Sequence, residues 1–152
     1  MKKALTILLV LTCLMLAAQG GPAQPPPERP YFGVALIGDP HLPGRELAAK
    51  QNLLSTIDGW NDIDRVVVLG DICKETGTAA EYAAARAFFS GLHKPLRPVT
   101  GNHDYIYEDE TGSDGRKVKA SAAVRRQKLT RFAGTFGLEE LYRSERLGPY
   151  LL

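Results

Sequence analysis

Three short apolar runs, each ending at a glycine, constrain the fold of this 152-residue chain more than any other feature. The runs are residues 32–37 (FGVALI), 65–69 (RVVVL) and 96–100 (LRPVT), and the glycines are Gly38, Gly70 and Gly101. Runs this short, β-branched in part and stopped by glycine, are typical of buried β-strands. The sequence therefore predicts three strands.

Two helical stretches separate the predicted strands. Residues 46–60 carry apolar side chains at helical spacings, namely Leu47, Leu53, Leu54, Ile57 and Trp60. Residues 78–92 are alanine-rich, with an apolar stripe of Tyr82, Ala85, Phe88, Phe89 and Leu92. Strands alternating with helices predict βαβ units, and hence an α/β fold with a parallel sheet and right-handed crossovers. In such sheets, functional residues collect beyond the carboxyl ends of the strands.

Acidic and imidazole side chains come after the predicted strands at that edge. The three ends are Gly38-Asp39-Pro40-His41, Gly70-Asp71-Ile72-Cys73 and Gly101-Asn102-His103-Asp104. Asp71 follows Asp39 by 32 residues and Asn102 follows Asp71 by 31, which is one βαβ unit each time. We therefore expect these side chains to emerge side by side.

The residue types in this set favour a metal centre. Asp39 and His41 combine a carboxylate with an imidazole, which suits Zn, Mn or Fe, whereas an all-oxygen set suits Mg or Ca. Asp71 adds a carboxylate that can bridge two cations, and Asn102 adds a neutral, weaker oxygen ligand. His103 is a candidate general acid, because a neighbouring carboxylate fixes the tautomer and stabilises the imidazolium.

The motifs GDPH, GD and GNHD, in this order and at these intervals, resemble the first three metal motifs of the calcineurin-like metallophosphoesterases. The resemblance covers residues 32–104. It implies the βαβαβ half of a metallophosphoesterase-type four-layer α/β/β/α sandwich. The apolar last residues, 146–152 (RLGPYLL), favour a truncated domain.

The resemblance implies a binding role for four motif residues. Asp39 and His41 would bind a first divalent metal ion, Asp71 would bridge two ions, and Asn102 would bind the second. The ions implied for the complete domain are Mn, Fe or Zn.

The implied activity is hydrolysis of a phosphomonoester or phosphodiester by a hydroxide that two metal ions activate. His103 would protonate the leaving oxygen, and Asp104 would orient His103. The serine/threonine phosphatase branch is disfavoured, because its GDxVDRG and GNHE motifs are absent.

The family completes its site with three later histidines, and this chain has only His41, His93 and His103. His93 lies before the third strand and is interpreted as a surface residue. We therefore expect a phosphoester hydrolase present as an incomplete domain, with at most one metal ion in this chain. Because the later histidines are missing, the isolated chain is expected to be weakly active or inactive. The alternative is a non-catalytic fragment that binds at most one ion. Cys73 is interpreted as a buried small residue rather than a ligand.

The rest of the chain carries fewer signals. Residues 105–116 are predicted to be a polar loop in which Tyr105 and Tyr107 either line the phosphoester pocket or pack in the turn. A basic helix is predicted for residues 117–133. Its basic side chains are interpreted as a solvated face rather than a nucleic-acid surface: Lys117, Lys119, Arg125, Arg126 and Lys128. The net charge of +2 agrees with that interpretation.

The N-terminus predicts export. Residues 1–20 combine Lys2 and Lys3, an uncharged apolar run, and small residues around Gln19, the layout of a signal peptide. Residues 21–30 are interpreted as a proline-rich linker and 31–152 as the phosphoesterase domain. We expect a secreted or periplasmic protein, tethered to the membrane if the signal is not cleaved. No membrane contact beyond this segment is indicated, and the sequence does not indicate an oligomeric state.

Overall fold

The computed structural model describes residues 31–152, so the predicted signal peptide and linker lie outside the described residues. In chain order the elements are β1 (Val34–Ile37), α1 (Leu47–Gly59), β2 (Arg65–Leu69), α2 (Ala79–Phe89), β3 (Leu96–Val99), α3 (Asn102–Tyr105), β4 (Tyr107–Thr111), β5 (Lys117–Lys119), α4 (Ala122–Phe136), β6 (Arg146–Leu147) and β7 (Tyr150–Leu151). Within residues 31–152, every helix is too short or too polar to span a lipid bilayer.

The predicted parallel sheet is confirmed. Its three strands lie in the order β1-β2-β3, and both neighbouring pairs are parallel. Val34 is opposite Arg65, and Val66 is opposite Leu96. Because the register is continuous across the sheet, the three carboxyl ends reach the same edge.

The hydrophobic core lies on one face of this sheet. Val68 of β2 packs there with Tyr82 and Phe88 of α2 and with Phe132 of α4. The predicted apolar stripe is buried within α2, and its last residue, Leu92, lies beyond the end of the helix and is partly buried against the core. A capping box at Thr78 begins α2, as the Thr-x-x-Glu pattern allows.

Helix α1 packs on a narrower stripe than its sequence indicates. Leu54 and Ile57 are buried, whereas Leu47, Leu53 and Trp60 are about half-exposed. Residues three apart share a helix face, so the contact is the single row that runs through Leu54 and Ile57.

The predicted loop over residues 105–116 and the first part of the predicted helix over 117–133 are wrong. Strands β4 and β5 form an antiparallel hairpin instead, and α4 begins five residues later than predicted, at Ala122. The turn is closed by the Gly112 N–H, which donates to Arg116 O at 2.8 Å, and Gly115 there has φ +76°. Ser121 caps α4 by accepting from Val124 N at 3.2 Å.

The predicted solvated basic face is wrong for Lys128. Its side chain is 2% exposed, and Nζ donates to Thr76 O at 2.6 Å and pairs with Asp109. A buried ammonium is tolerated when it is paired and hydrogen-bonded. Lys128 therefore joins α4 to the loop after β2.

Glu145 joins the C-terminal hairpin β6–β7 to the parallel sheet. Its carboxylate accepts from Arg97 Nε at 2.5 Å and Arg97 Nη2 at 2.9 Å, and it pairs with the buried Arg65. Its backbone N–H donates to Leu152 O at 3.0 Å. The two guanidinium groups hold the pKa of Glu145 down at about 2.

We predict that Glu145→Gln lowers the free energy of unfolding by about 1–3 kcal/mol near neutral pH, because charged hydrogen bonds are lost and Arg65 loses its counter-ion. The folded-state pKa of about 2 lies below the ordinary value of 4.5, so this stabilisation is present above pH 4.5 and is lost as the pH falls toward 2. Urea unfolding of wild type and variant across this range measures it. Glu139→Gln, at an exposed position, is the control. If the difference in unfolding free energy between wild type and variant did not shrink as the pH falls toward 2, the stabilising role of ionised Glu145 would be contradicted.

Candidate metal centre

Three of the predicted ligands come together at the sheet edge. Asp39 and His41 follow β1, and Asp71 follows β2. One ligand atom from each lies within 4.8 Å of the other two. Atoms this close can share one cation, so the structure supports the predicted first metal site.

The backbone at all three candidate ligands is in the left-handed region. The φ angles are 43° at Asp39, 46° at His41 and 44° at Asp71. Among the described residues, the one other non-glycine residue with positive φ is Glu46. Such a conformation costs about 1–3 kcal/mol when the surroundings must enforce it, and it is concentrated at functional sites.

Hydrogen bonds continue the parallel pairing of β1 and β2 beyond the strands. His41 N donates to Asp71 O at 3.0 Å, and Leu42 N donates to Ile72 O at 2.6 Å. Lys74 N returns a bond to Leu42 O at 3.0 Å. Backbone hydrogen bonds therefore hold the loop after β1 in register with the loop after β2.

Glycines at the ends of β2 and β3 let the loops that follow these two strands touch. A Cβ on Gly101 would collide with the backbone nitrogen and carboxylate of Asp71. A Cβ on Gly70 would lie 2.8 Å from Gly101 N, and φ at Gly70 is +91°. Larger residues at either position would push the loop after β3 away from Asp71.

His103, the predicted general acid, lies beside this cluster. Its backbone N–H donates to the Asp71 carboxylate at 2.9 Å, and its ring meets the His41 ring edge-on with centroids 4.8 Å apart. Its Nδ1 is 2.7 Å from Lys74 O. Because a carbonyl oxygen can only accept, Nδ1 carries the proton and donates, which leaves Nε2 for chemistry.

The structure gives Asp104 a different role from the predicted one. Its carboxylate is fully buried and accepts from Gly101 N at 2.8 Å, Cys73 N at 2.8 Å and Ile72 N at 3.3 Å. Neighbouring residues on a helical turn point in different directions, so Asp104 faces the core while His103 faces the cluster. The partner that orients the His103 ring is the Lys74 carbonyl.

Burial shapes the chemistry of the groups beneath the cluster. It raises the pKa of Asp104, against the effect of its three N–H donors. It also raises the pKa of Cys73, whose thiol is fully buried, so the interpretation of Cys73 as a buried residue is confirmed. A thiol kept protonated is a poor metal ligand.

Two other predicted positions lie at the surface. Asn102 is exposed at the first residue of α3, and its role as a ligand stays a prediction. His93 is 91% exposed at its side chain and pairs with Asp58, with Nδ1 2.7 Å from Oδ2. The interpretation of His93 as a surface residue is confirmed.

Sequence reasoning missed a cation at this edge. Lys117 of β5 places Nζ 3.3 Å from Nδ1 of His103 and 3.0 Å from the Glu75 carboxylate. The prediction put Lys117 at the start of a helix. The signal for the hairpin was the Asp114-Gly115 dipeptide, a typical turn sequence between strands.

Comparison with known families agrees with this geometry. The sequence model described as calcineurin-like phosphoesterase matches residues 32–144, which is more than half of the chain. The chain belongs to the calcineurin-like phosphoesterase family. No curated protein matches the chain with significant sequence similarity.

Membership of the calcineurin-like phosphoesterase family makes a divalent cation the expected occupant of the cluster, and the residues present fit one. Two carboxylates and one imidazole form a mixed oxygen and nitrogen donor set suited to transition metals. All three candidate ligands have positive φ angles.

We predict that Asp104→Asn lowers the free energy of unfolding by about 1–3 kcal/mol, because an amide turns an N–H group toward backbone donors that a carboxylate satisfies. Affinity for Mn²⁺ should also fall, by about tenfold or more, since the loops that carry Asp71 and His103 lose their common anchor. Chemical denaturation and metal titration measure the two effects. Asp62→Asn, at an exposed position, should change neither. A variant Asp104→Asn as stable as Asp62→Asn would refute the anchoring role.

Proposed function

We propose that this chain carries the first metal site and the general acid of a metal-dependent phosphoester hydrolase. The observation that supports it best is the convergence of Asp39, His41 and Asp71, with ligand atoms within 4.8 Å of one another. Family membership supports a phosphoester as the substrate. We further propose that Asp71 and Asn102 contact a second ion only weakly, because two protein ligands are too few for tight binding.

The three clustered residues would hold the cation through two carboxylates and one imidazole. When bound, the cation supplies Lewis-acid stabilisation of charge on the phosphoryl group. Asp71 has a second task, because one of its oxygens accepts from His103 N at 2.9 Å. That bond sets the distance between the ligand cluster and the general acid.

His103 would hold and release the proton. With Nδ1–H anchored on Lys74 O at 2.7 Å, the ring cannot swing away, and Nε2 is the atom that would deliver a proton to the leaving oxygen. The edge-on contact with His41 places this ring directly beside a proposed metal ligand. A substrate phosphoryl group held at the cluster would therefore lie near Nε2.

A second candidate is a non-catalytic chain that binds one metal ion. Among residues 31–152, the one group of three or more close acidic, histidine or cysteine ligands is Asp39, His41 and Asp71. A single ion can be held by three protein ligands and water. This candidate shares the metal site with the first and lacks only turnover.

Titration with Mn²⁺ or Zn²⁺, followed by assays on an aryl phosphomonoester and an aryl phosphodiester, separates the two candidates. We expect about one ion per chain and weak, metal-dependent turnover. Asp71→Asn should weaken metal binding by about tenfold or more. His103→Ala should keep the metal and lower kcat by about 100-fold or more.

The control for these variants is Asp62→Asn. Metal binding without turnover in the wild type would favour the non-catalytic candidate. Two tight sites would refute the expectation of at most one ion. Absence of saturable metal binding would overturn both candidates.

We also propose that the protein is exported, on the basis of residues 1–20. Mass spectrometry of the protein recovered from the medium or periplasm of an expressing bacterium should find a chain that begins at Gly21. Replacing Ala18 and Gly20 by leucine should block cleavage and leave a membrane-tethered form. Wild-type protein that keeps its N-terminus in the cytoplasm would contradict export.

A further inference from the structure

A small charged cluster lies against the Nδ1 atom of His103. It consists of Lys74 and Glu75, from the loop after β2, and Lys117, from β5. Lys117 Nζ is 3.0 Å from Glu75 Oε2, and Lys74 Nζ is 3.3 Å from Glu75 Oε1. One carboxylate therefore faces two ammonium groups.

The cluster keeps a surplus positive charge. The hydrogen bond from Lys117 lowers the pKa of Glu75, and Lys74 lowers it further, so the carboxylate is ionised at neutral pH. Two cations and one anion leave a net charge of +1 beside the candidate general acid. Lys117 is the inner of the two cations, with 29% of its side chain exposed against 51% for Lys74.

The contact between Lys117 and His103 is not a hydrogen bond. Nδ1 of His103 already donates to Lys74 O at 2.7 Å, so it offers no lone pair to the ammonium 3.3 Å away. The ammonium also lies 5.5 Å from the centroid of the Tyr107 ring. Its one carboxylate partner among residues 31–152 is Glu75, which leaves N–H groups on Lys117 for an anion.

We propose that Lys117 forms a phosphate-binding subsite beside His103 that favours dianionic phosphoryl groups, and that the substrates are therefore phosphomonoesters rather than phosphodiesters. The attraction between a fixed cation and a ligand scales with the ligand's charge, so a monoester dianion gains about twice what a diester monoanion gains. The ammonium can also donate a charge-assisted hydrogen bond to a terminal phosphoryl oxygen. The choice of substrate class rests on the hydrolase function proposed above.

Binding of two simple anions to the Mn²⁺-loaded chain tests the subsite without requiring turnover. Inorganic phosphate is mostly a dianion near pH 8, whereas dimethyl phosphate is a monoanion. In calorimetric titrations, Lys117→Gln should weaken phosphate binding by roughly five- to tenfold and dimethyl phosphate binding by clearly less. Lys117→Arg should restore most of the phosphate affinity.

Two further variants sharpen the test. Glu75→Gln raises the charge of the cluster from +1 to +2 and should tighten phosphate binding, the opposite of Lys117→Gln. Lys119→Gln removes the same charge two residues along the same strand, at an exposed position with no ion pair among the described residues, and should change nothing. Metal titration and circular dichroism confirm that each variant is folded and loaded.

The proposal is overturned if Lys117→Gln weakens the binding of both anions equally. It is also overturned if Lys117→Gln binds phosphate as Lys119→Gln does, or if the wild type binds no phosphate. The hydrolase proposal fails separately, if the wild type binds phosphate selectively but hydrolyses neither ester. If it does hydrolyse esters, Lys117→Gln should lower the ratio of kcat/KM for the aryl monoester to that for the diester by roughly five- to tenfold.

Discussion

The candidate site depends on the hydrogen bonds of the buried Asp104 carboxylate. This carboxylate accepts from Gly101 N at 2.8 Å, in the loop after β3. It also accepts from Cys73 N at 2.8 Å and Ile72 N at 3.3 Å, in the loop after β2. The backbone carbonyl of Asp104 accepts from Tyr82 OH at 2.8 Å, which adds α2 to the same junction. A charge without solvent is tolerable only while its donors are present. The positions of Asp71 and His103 are therefore set from beneath, by a residue that faces the core.

Features that depend on regular geometry were predictable from the sequence. Short glycine-ended runs identified β1, β2 and β3, and parallel topology then required their ends to share an edge. That rule alone brings Asp39, His41 and Asp71 together, and the structure confirms it. Helix α2 was also predictable, because its apolar stripe and its Thr78 capping box are local patterns. Each of these features is decided within about fifteen residues or by one general rule of topology.

The features that the sequence missed depend on pairs that are distant along the chain. Lys128 is buried because Thr76, 52 residues earlier, accepts a hydrogen bond from its Nζ. The spacing of residues within a helix does not predict such a distant partner. Asp104 looked like the residue that orients His103 because the two are adjacent, whereas its donors Ile72 and Cys73 lie 32 and 31 residues earlier. Lys117 was misplaced for a different reason. Its hairpin had a recognisable turn, but the basic composition around it favoured a helix.

The strained backbone at the candidate ligands indicates when the candidate metal site takes its shape. Asp39, His41 and Asp71 all have positive φ, a conformation that a bound ion could impose or that the fold could impose beforehand. The hydrogen bonds that hold it, from His41 N to Asp71 O and from His103 N to the Asp71 carboxylate, involve only protein groups. The conformational cost is therefore met during folding rather than during binding. A site preorganised in this way loses little affinity to ordering, and the bonds of His103 to the Asp71 carboxylate and to Lys74 O fix its ring beside the candidate ligands.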